Sequence, residues 1–415
     1  MNGGKHKDVL NYFIVILVIL FNTSPFFLYA SKPFWIILIS TLVVIALLAR
    51  KHLEHKKIIF GLAILWVLII LQGISFGEFT PATVYQPILV LYTPYLVFSI
   101  VGLSFYRYLF NVIYVTVIYT SIIYLFQVLS PNFNAFLLKL FDFAFLHSWS
   151  DWPRSIIFYS IPRESTFFLP RNSGIFHEPG AYSIYIVLAL ILNTIYTKKA
   201  FGRKNIILIL VLLTTFSTAG YVMLFIFLVY ALWGTKLNIF IKIFLLSLFV
   251  IFAIGIYQDT EFLQNKIESQ YATQDYLVEK DVKNQRGRFY SFRMTGKALL
   301  SSPIYGRGII SNTEYDVGGT GSYGYGFIGM FAKFGIIFGV LYLWLFYKGF
   351  RFYSDLYNTP INFTRIAFII LNLGLLSQSF FFHISFVLFF IVGLIYPAKA
   401  RIILKDNQRL NATSR

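Results

Sequence analysis

Residues 58–71 read Ile-Ile-Phe-Gly-Leu-Ala-Ile-Leu-Trp-Val-Leu-Ile-Ile-Leu, with Lys56-Lys57 just before them and Gln72 just after. No polar side chain interrupts the run. It therefore shows neither the alternation of a half-buried strand nor the one-sided stripe of a surface helix. Extended to Phe76, it reaches the length of about 20 residues that a helix needs to cross the hydrocarbon core of a bilayer. An outer-membrane barrel, whose strands alternate apolar and polar positions, is excluded by the same continuity. Runs of this kind recur along the chain and predict spans at 9–29, 33–49, 58–76, 87–104, 109–129, 178–196, 205–218, 220–234, 238–257, 326–347, 364–379 and 381–396. The chain reads as an all-α polytopic membrane protein with about 12 transmembrane helices. It shows no repeat of fixed period and no low-complexity linker, so residues 1–415 read as a single integral membrane domain.

Composition points the same way. Of the 415 residues, 58% are hydrophobic and only 13% charged, about half the charged share of a soluble domain. Too few charges are left to solvate a globule of this size. The mean hydropathy is +0.71 and aromatics make up 20%. A soluble enzyme, a disordered chain and a collagen-like fibre are excluded. With no Cys there is no disulfide framework, thiolate metal site or cysteine nucleophile. The formal net charge of +18 is assigned to topology-setting loops and anionic lipid headgroups, and no nucleic-acid partner is expected.

Orientation follows from the short basic loops. With the N-terminus inside, Arg50-Lys51, Lys56-Lys57, Lys198-Lys199, Arg203-Lys204 and the basic tail from Lys399 to Arg415 all fall on the cytoplasmic side. Both termini are then cytoplasmic. Lys5 and Lys7 before Val9–Leu20 imitate a signal peptide, but the candidate cleavage site Leu28-Tyr29-Ala30 has a bulky residue where a small one is preferred. This stretch is read as a retained first span.

Two long loops emerge on the opposite, non-cytoplasmic face: 131–177 and the larger 258–325. Long loops between spans tend to carry function. In the first, Phe141–Leu146 with Trp149 and Trp152 suits a helix lying in the membrane interface. The loop closes with Arg171-Asn172-Ser173-Gly174-Ile175-Phe176-His177-Glu178-Pro179-Gly180, where Pro179 favours a helix start. Glu178 has two readings, a carboxylate interacting with the helix dipole or a general base. In the second loop, Gly287–Leu300 reads as an amphipathic helix with Phe289, Phe292, Gly296 and Leu299 or Leu300 on one face. Its Arg288 and Arg293 are either a solvated basic face or forks for phosphate oxygens. Pro303-Ile304-Tyr305-Gly306-Arg307-Gly308 follows and is read as a turn. The six His, at 6, 52, 55, 147, 177 and 383, show no metal-site spacing; no metal and no cofactor are expected. Loops rich in Arg and aromatics, rooted in the membrane, suit a lipid-anchored substrate bearing phosphate. Arg would neutralise the charge of a diphosphate leaving group.

These motifs, in order, resemble the bacterial O-antigen polymerase family (Wzy type) within the O-antigen polymerase/ligase superfamily. The likeness rests on the Arg171–Gly180 stretch leading into a span and on Thr215-Phe216-Ser217-Thr218-Ala219-Gly220. The latter is similar to the family's Thr-x-Ser-Arg-x-Gly pattern, with Thr218 where Arg is usual. It rests also on Arg288 followed by Pro303–Gly308, and on Gly335-Ile336-Ile337-Phe338-Gly339. The resemblance implies a metal-independent, GT-C-like glycosyltransferase of the inner membrane with two long periplasmic loops. It would move a growing glycan from undecaprenyl pyrophosphate to the non-reducing end of the next lipid-linked repeat unit. Arg171, Arg288 and Arg293 would bind pyrophosphate, and Glu178, with His177 second, would act as base. Membrane lipids and a chain-length regulator of the polysaccharide co-polymerase type are the implied partners. The related ligases, which deliver glycan to lipid A–core, carry a His-Asn pair shortly before the late glycine. Here Gly324-Tyr325 stands in that place. A lipid-linked oligosaccharide flippase is the alternative from another class, but its charges are expected in the spans rather than the loops.

Overall fold

The computed structural model describes residues 3–24, 31–48, 55–76, 88–143, 154–156, 158–161, 170–259, 288–308, 326–378 and 380–396. Among them the protein is almost entirely helical. The helices are α1 (Gly3–Thr23), α2 (Ser31–Leu48), α3 (His55–Phe76), α4 (Thr93–Val101), α5 (Phe105–Leu129), α6 (Pro131–Phe143), α7 (Pro179–Thr197), α8 (Arg203–Thr214), α9 (Thr218–Trp233), α10 (Ile239–Asp259), α11 (Arg288–Ser301), α12 (Gly326–Leu356), α13 (Ile361–Ser377) and α14 (Ile384–Ile395). A small antiparallel hairpin, β1 (Arg154–Ile156) and β2 (Tyr159–Ile161), pairs Ser155 with Ser160. Among the described residues, four segments are long and apolar enough to cross a membrane: Ile59–Phe76, Val90–Leu129, Pro179–Thr197 and Ile328–Leu356. Five shorter apolar helices accompany them. This is an all-α membrane protein.

The 40-residue apolar stretch Val90–Leu129 is interrupted by a 3-10 turn at Gly102–Ser104, with Gly102 at φ +70°. The sequence placed that connection at 105–108; the structure moves it a few residues earlier, to the glycine that accepts the left-handed backbone. Contacts divide the chain into two compact units. The first comprises 1–41, 101–264 and 365–374; the second comprises 42–100, 265–364 and 375–415.

In the first unit, α7 is the hub. Every residue from Pro179 to Ile195 is buried, as expected for a helix apolar on all sides. Its polar residues are matched internally. Asn193 Nδ2 donates to Asn205 Oδ1 at 2.7 Å, and Asn205 Nδ2 reaches Thr194 Oγ1 at 3.0 Å and the Ala200 carbonyl at 2.9 Å. The helix ends at Lys198, in the left-handed conformation, whose ammonium donates to the Ile195 carbonyl at 2.7 Å. Partial burial lowers the Lys198 pKa. Beside the hairpin, Leu137 of α6 and Tyr159 of β2 form a small core with Ile123, Phe133 and Ile161. The Tyr159 hydroxyl donates to Gln127 Oε1 at 2.7 Å, and burial pushes its pKa far above the ordinary value. Trp149 and Trp152, expected in the interface, lie outside the described residues.

The second unit is built on α12 and α14. They approach closely: a Cβ on Gly349 would fall 1.8 Å from the Phe389 carbonyl oxygen, and one on Gly393 2.0 Å from that of Leu345. Small residues at such crossings let backbones touch in lipid, where packing replaces the hydrophobic effect as the driving force. Tyr342 stacks on Phe390 with ring centroids 5.0 Å apart, and its hydroxyl donates to the Phe381 carbonyl at 2.5 Å. Within α12, Gly335 breaks the helix at φ +79°, ψ 171°.

Candidate functional site

In the first unit the Arg171–Pro179 segment is stapled by side chains that the backbone consumes. Asn172 is fully buried; its backbone N–H donates to the Thr214 carbonyl and its Nδ2 to Thr214 Oγ1, each at 3.0 Å. Its Oδ1 accepts from Gly174 N at 3.1 Å, an Asx-type turn. Gly174 then takes φ +56°, and a Cβ there would sit 2.8 Å from the Tyr182 ring. Ser173 Oγ donates to the Ser160 carbonyl, and Ser160 N to the Gly174 carbonyl, both at 2.7 Å. Phe176 stacks against Tyr182 and packs on Tyr185, with centroids 5.2 and 4.9 Å away. Asn172, Ser173, Gly174 and Phe176 are therefore structural.

The residues this staple presents are Arg171, His177 and Glu178, all half-buried. Arg171 Nε donates to the Thr215 carbonyl at 3.4 Å, which fixes the plane of its guanidinium. Two stretches singled out in the sequence, Arg171–Gly180 and Thr215–Gly220, thus meet. Ser217 caps α9 by accepting from Gly220 N at 3.2 Å, and Thr218 is exposed at the helix start. Gly220 is required by packing, since a Cβ there would fall 2.8 Å from that of Ser183.

His177 is held from both sides. Its backbone N–H donates to the Thr23 carbonyl at 3.1 Å, and Nδ1 lies 3.4 Å from the same oxygen. That contact favours the tautomer with the proton on Nδ1. Nε2 then faces Glu178 Oε1 at 3.6 Å. Glu178 is the N-cap residue of α7, with extended backbone, but its side chain makes no capping bond. The carboxylate stands at the positive end of the helix dipole, beside the imidazole. This is a carboxylate–imidazole pair able to take or give one proton.

In the second unit, Arg288 begins α11, and its side chain lies outside the described residues. Arg293 and Lys297 are exposed on the same helix. The amphipathic face differs from expectation. Thr295 and Ala298 are the buried positions, while Phe292 and Leu300 are 52% and 79% exposed. Ala298 packs on Ala332 of α12 with Leu299 against them, while Phe292 and Leu300 turn outward.

A second polar cluster went unrecognised in the sequence. The Pro303–Gly308 turn docks into the Gly335 break: Arg307 N donates to the Ala332 carbonyl at 2.7 Å, Gly308 N to Lys333 O at 3.1 Å, and Ile336 N to Pro303 O at 2.8 Å. Gln72 of α3, 2% exposed, splits its Nε2 between the carbonyls of Tyr305 (2.5 Å) and Lys333 (2.7 Å). The Arg307 guanidinium lies 4.2 Å above the Phe76 ring, a cation–π contact. Proline, two glycines and an arginine in six residues were the available signal, but their partner lies some thirty residues further on, around Lys333 and Gly335 of a span.

Among the described residues, no group of three His, Asp or Glu could hold a metal ion. Compared with known proteins, the chain matches no family model, no curated protein and no solved structure.

Proposed function

We propose that the protein is an O-antigen polymerase, a glycosyltransferase of the bacterial inner membrane that extends lipid-linked polysaccharide on the periplasmic face. The observation that carries the reading is the arrangement at the head of α7, where Arg171 is pinned to Thr215 and Glu178 faces His177. It puts a guanidinium and a carboxylate–imidazole pair on one short, stapled segment, and these groups suit anion binding and proton transfer. In this reading the chain crosses the membrane twelve times, both termini are cytoplasmic, and loops 131–177 and 258–325 are periplasmic.

Arg171, with Arg288 and Arg293 of the late loop, binds the diphosphate of the undecaprenyl-linked donor. A hydroxyl at the non-reducing end of the incoming repeat unit attacks the donor's anomeric carbon. The new C–O bond forms as the bond from that carbon to the diphosphate oxygen breaks. The lipid diphosphate leaves with the electron pair, its charge met by arginine, and the hydroxyl proton passes to Glu178 or to His177 Nε2. Undecaprenyl-pyrophosphate repeat units are the substrates, and a chain-length regulator of the co-polymerase type is the protein partner.

The test is a lipopolysaccharide gel of the host with this gene deleted. A core bearing a single repeat unit and no ladder is expected, restored by the wild-type gene. Arg288→Ala should leave the ladder absent, and Arg288→Lys, which keeps charge but loses the fork, should restore only a small part of it. A bare core with no repeat attached would overturn the reading in favour of a ligase or flippase.

A further inference from the structure

The end of α7 far from Glu178 is a fastened corner of positive charge. There the last turn of α7, the start of α8 and the start of α5 converge on one ring. Phe110 of α5 meets Tyr196 of α7 edge-on at 6.1 Å and stacks with Tyr114 at 5.9 Å. Lys204 of α8 lies over the same α5 rings, its ammonium 5.3 Å from the Phe110 centroid and 5.1 Å from that of Tyr114. The turn between α7 and α8 is held from beneath by buried Asn205, whose Nδ2 donates to the carbonyls of Lys199 and Ala200 at 3.0 and 2.9 Å. Lys199, Phe201 and Arg203 are exposed around that turn, and Arg107, one turn before Phe110 on α5, is exposed as well. Arg107, Lys199, Arg203 and Lys204 thus gather at one corner, and among the described residues no carboxylate pairs with any of them. Asp8, a carboxylate at this end of the unit, accepts instead from the Tyr108 hydroxyl. Exposed apolar flanks run up to these cations. On α8, Arg203, Ile206 and Leu210 stand at i, i+3 and i+7, so they share one face, and all are exposed. On α5, Arg107 and Ile118 are eleven residues apart, about three turns, and both are exposed. Because α7 is long and apolar enough to cross a membrane, the corner at its end comes where hydrocarbon gives way to water.

We infer that the α5–α7–α8 corner is a binding site for an anionic phospholipid, its phosphodiester on Arg203 and Lys204 with Arg107 and Lys199 flanking, and its acyl chains along Ile206 and Leu210. Fixed cations above an apolar flank are complementary to such a lipid, and basic sites at the ends of spans recognise anionic headgroups in this way. A zwitterionic headgroup brings a cation of its own to the same place, and a soluble anion makes no use of the apolar flank. The chain's net charge pointed to lipid headgroups in general; the fold gathers these four side chains and the flank below them into one site. In the proposed topology it lies at the cytoplasmic end of α7. The inference stands apart from the transferase reading.

The experiment titrates the full chain in neutral detergent with phosphatidylglycerol and with phosphatidylcholine of the same acyl chains, counting bound lipids by native mass spectrometry. Phosphatidylglycerol is expected to bind more tightly, by about fivefold for each cation it engages. Arg203→Gln/Lys204→Gln should remove most of that preference and Arg203→Lys/Lys204→Arg should keep it. Lys56→Gln/Lys139→Gln, which takes the same charge from exposed positions elsewhere, should keep it too. Hydrogen exchange of the wild type in nanodiscs locates the site without any variant, and it decides the matter if the double variant fails to fold. Replacing part of the phosphatidylcholine by phosphatidylglycerol should slow exchange in the 198–207 peptide. Equal affinity for the two lipids, an undiminished preference in a folded Arg203→Gln/Lys204→Gln, or unchanged exchange at 198–207 would overturn the inference. Displacement of the lipid by an equal concentration of glycerol phosphate would overturn it as well and assign the corner to a soluble anion.

Discussion

Replacing Gly335 by Ala tests whether the break in α12 is held by the docked turn. At φ +79°, ψ 171° the backbone occupies a region open essentially only to glycine, which alone costs an alanine about 1–3 kcal/mol. The added Cβ would lie 2.0 Å from the Ile304 carbonyl oxygen, 2.4 Å from its carbon and 2.6 Å from Tyr305 N. These are backbone atoms, so the Pro303–Gly308 turn itself must retreat. Retreat loosens the bonds from Arg307 N, Gly308 N and Ile336 N and the Gln72 contact to Tyr305, each worth about 1 kcal/mol net. If half of them are lost, the total is about 3–5 kcal/mol. The control is Gly255→Ala in α10, where a Cβ meets nothing within 4 Å; there the change should be neutral or stabilising by up to about 1 kcal/mol. The assay is thermal unfolding in detergent, with limited trypsin digestion followed at Arg307. Gly335→Ala should melt well below wild type and be cleaved faster after Arg307, and Gly255→Ala should do neither. Matching midpoints and cleavage rates for Gly335→Ala and wild type would refute the account of the break.

Two further expectations concern the first unit. Glu178→Gln should lower glycan transfer by about 10²–10⁴-fold with donor KM little changed, as for a lost general base, whereas His177→Gln should cost less; wild-type turnover by Glu178→Gln would take the carboxylate out of the chemistry. Tyr159→Phe leaves Gln127 Oε1 without its donor and should cost about 1–3 kcal/mol at neutral pH. Because burial raises the Tyr159 pKa, the unfolded chain ionises first, and this residue makes stability fall as pH climbs above about 10, by up to about 1.4 kcal/mol per unit. Denaturation curves at pH 9.5 and 11 should show a shallower alkaline loss for Tyr159→Phe, and parallel losses would disprove that share.

Much of the fold was legible because lipid imposes a blunt rule. Continuous apolar runs such as 58–71 and 206–213 have no stable alternative to a helix, and Pro179 marked where α7 began; the break expected between spans 205–218 and 220–234 falls a few residues earlier, with α8 ending at Thr214 and α9 beginning at Thr218. The same rule hid the break at Gly335. Gly-Ile-Ile-Phe-Gly looks like the middle of any span, and nothing local demands a positive φ there; the demand comes from Ile304 and Tyr305, thirty residues earlier in the chain. The face of α11 was misjudged for a related reason. Burial in water favours Phe and Leu inside, but here the close contact is made by Ala298 on Ala332 with Leu299 beside it, and Phe292 and Leu300 go out. At the candidate site, residue types pointed to Arg171, His177 and Glu178 together, but only coordinates could separate them from Asn172 and Ser173, whose polar atoms are spent on Thr214, Gly174 and Ser160.

The two units place their arginines by one physical device. In the first, the α8–α9 link leaves helix-end carbonyls at Thr214 and Thr215. Asn172 N takes the former, and its chain neighbour Arg171 takes the latter through Nε. In the second, the Gly335 break leaves carbonyls at Ala332 and Lys333, and the N–H groups of Arg307 and Gly308 take them. A carbonyl without a donor costs several kcal/mol in hydrocarbon, so each helix end demands a segment of backbone at a defined position. The segment that answers brings an arginine with it. A guanidinium positioned this way is carried by a segment whose own main-chain hydrogen bonds hold its backbone in place. An Arg→Ala change at either position should therefore leave the local backbone in place while removing the charge, which is the property that separates a binding arginine from a structural one.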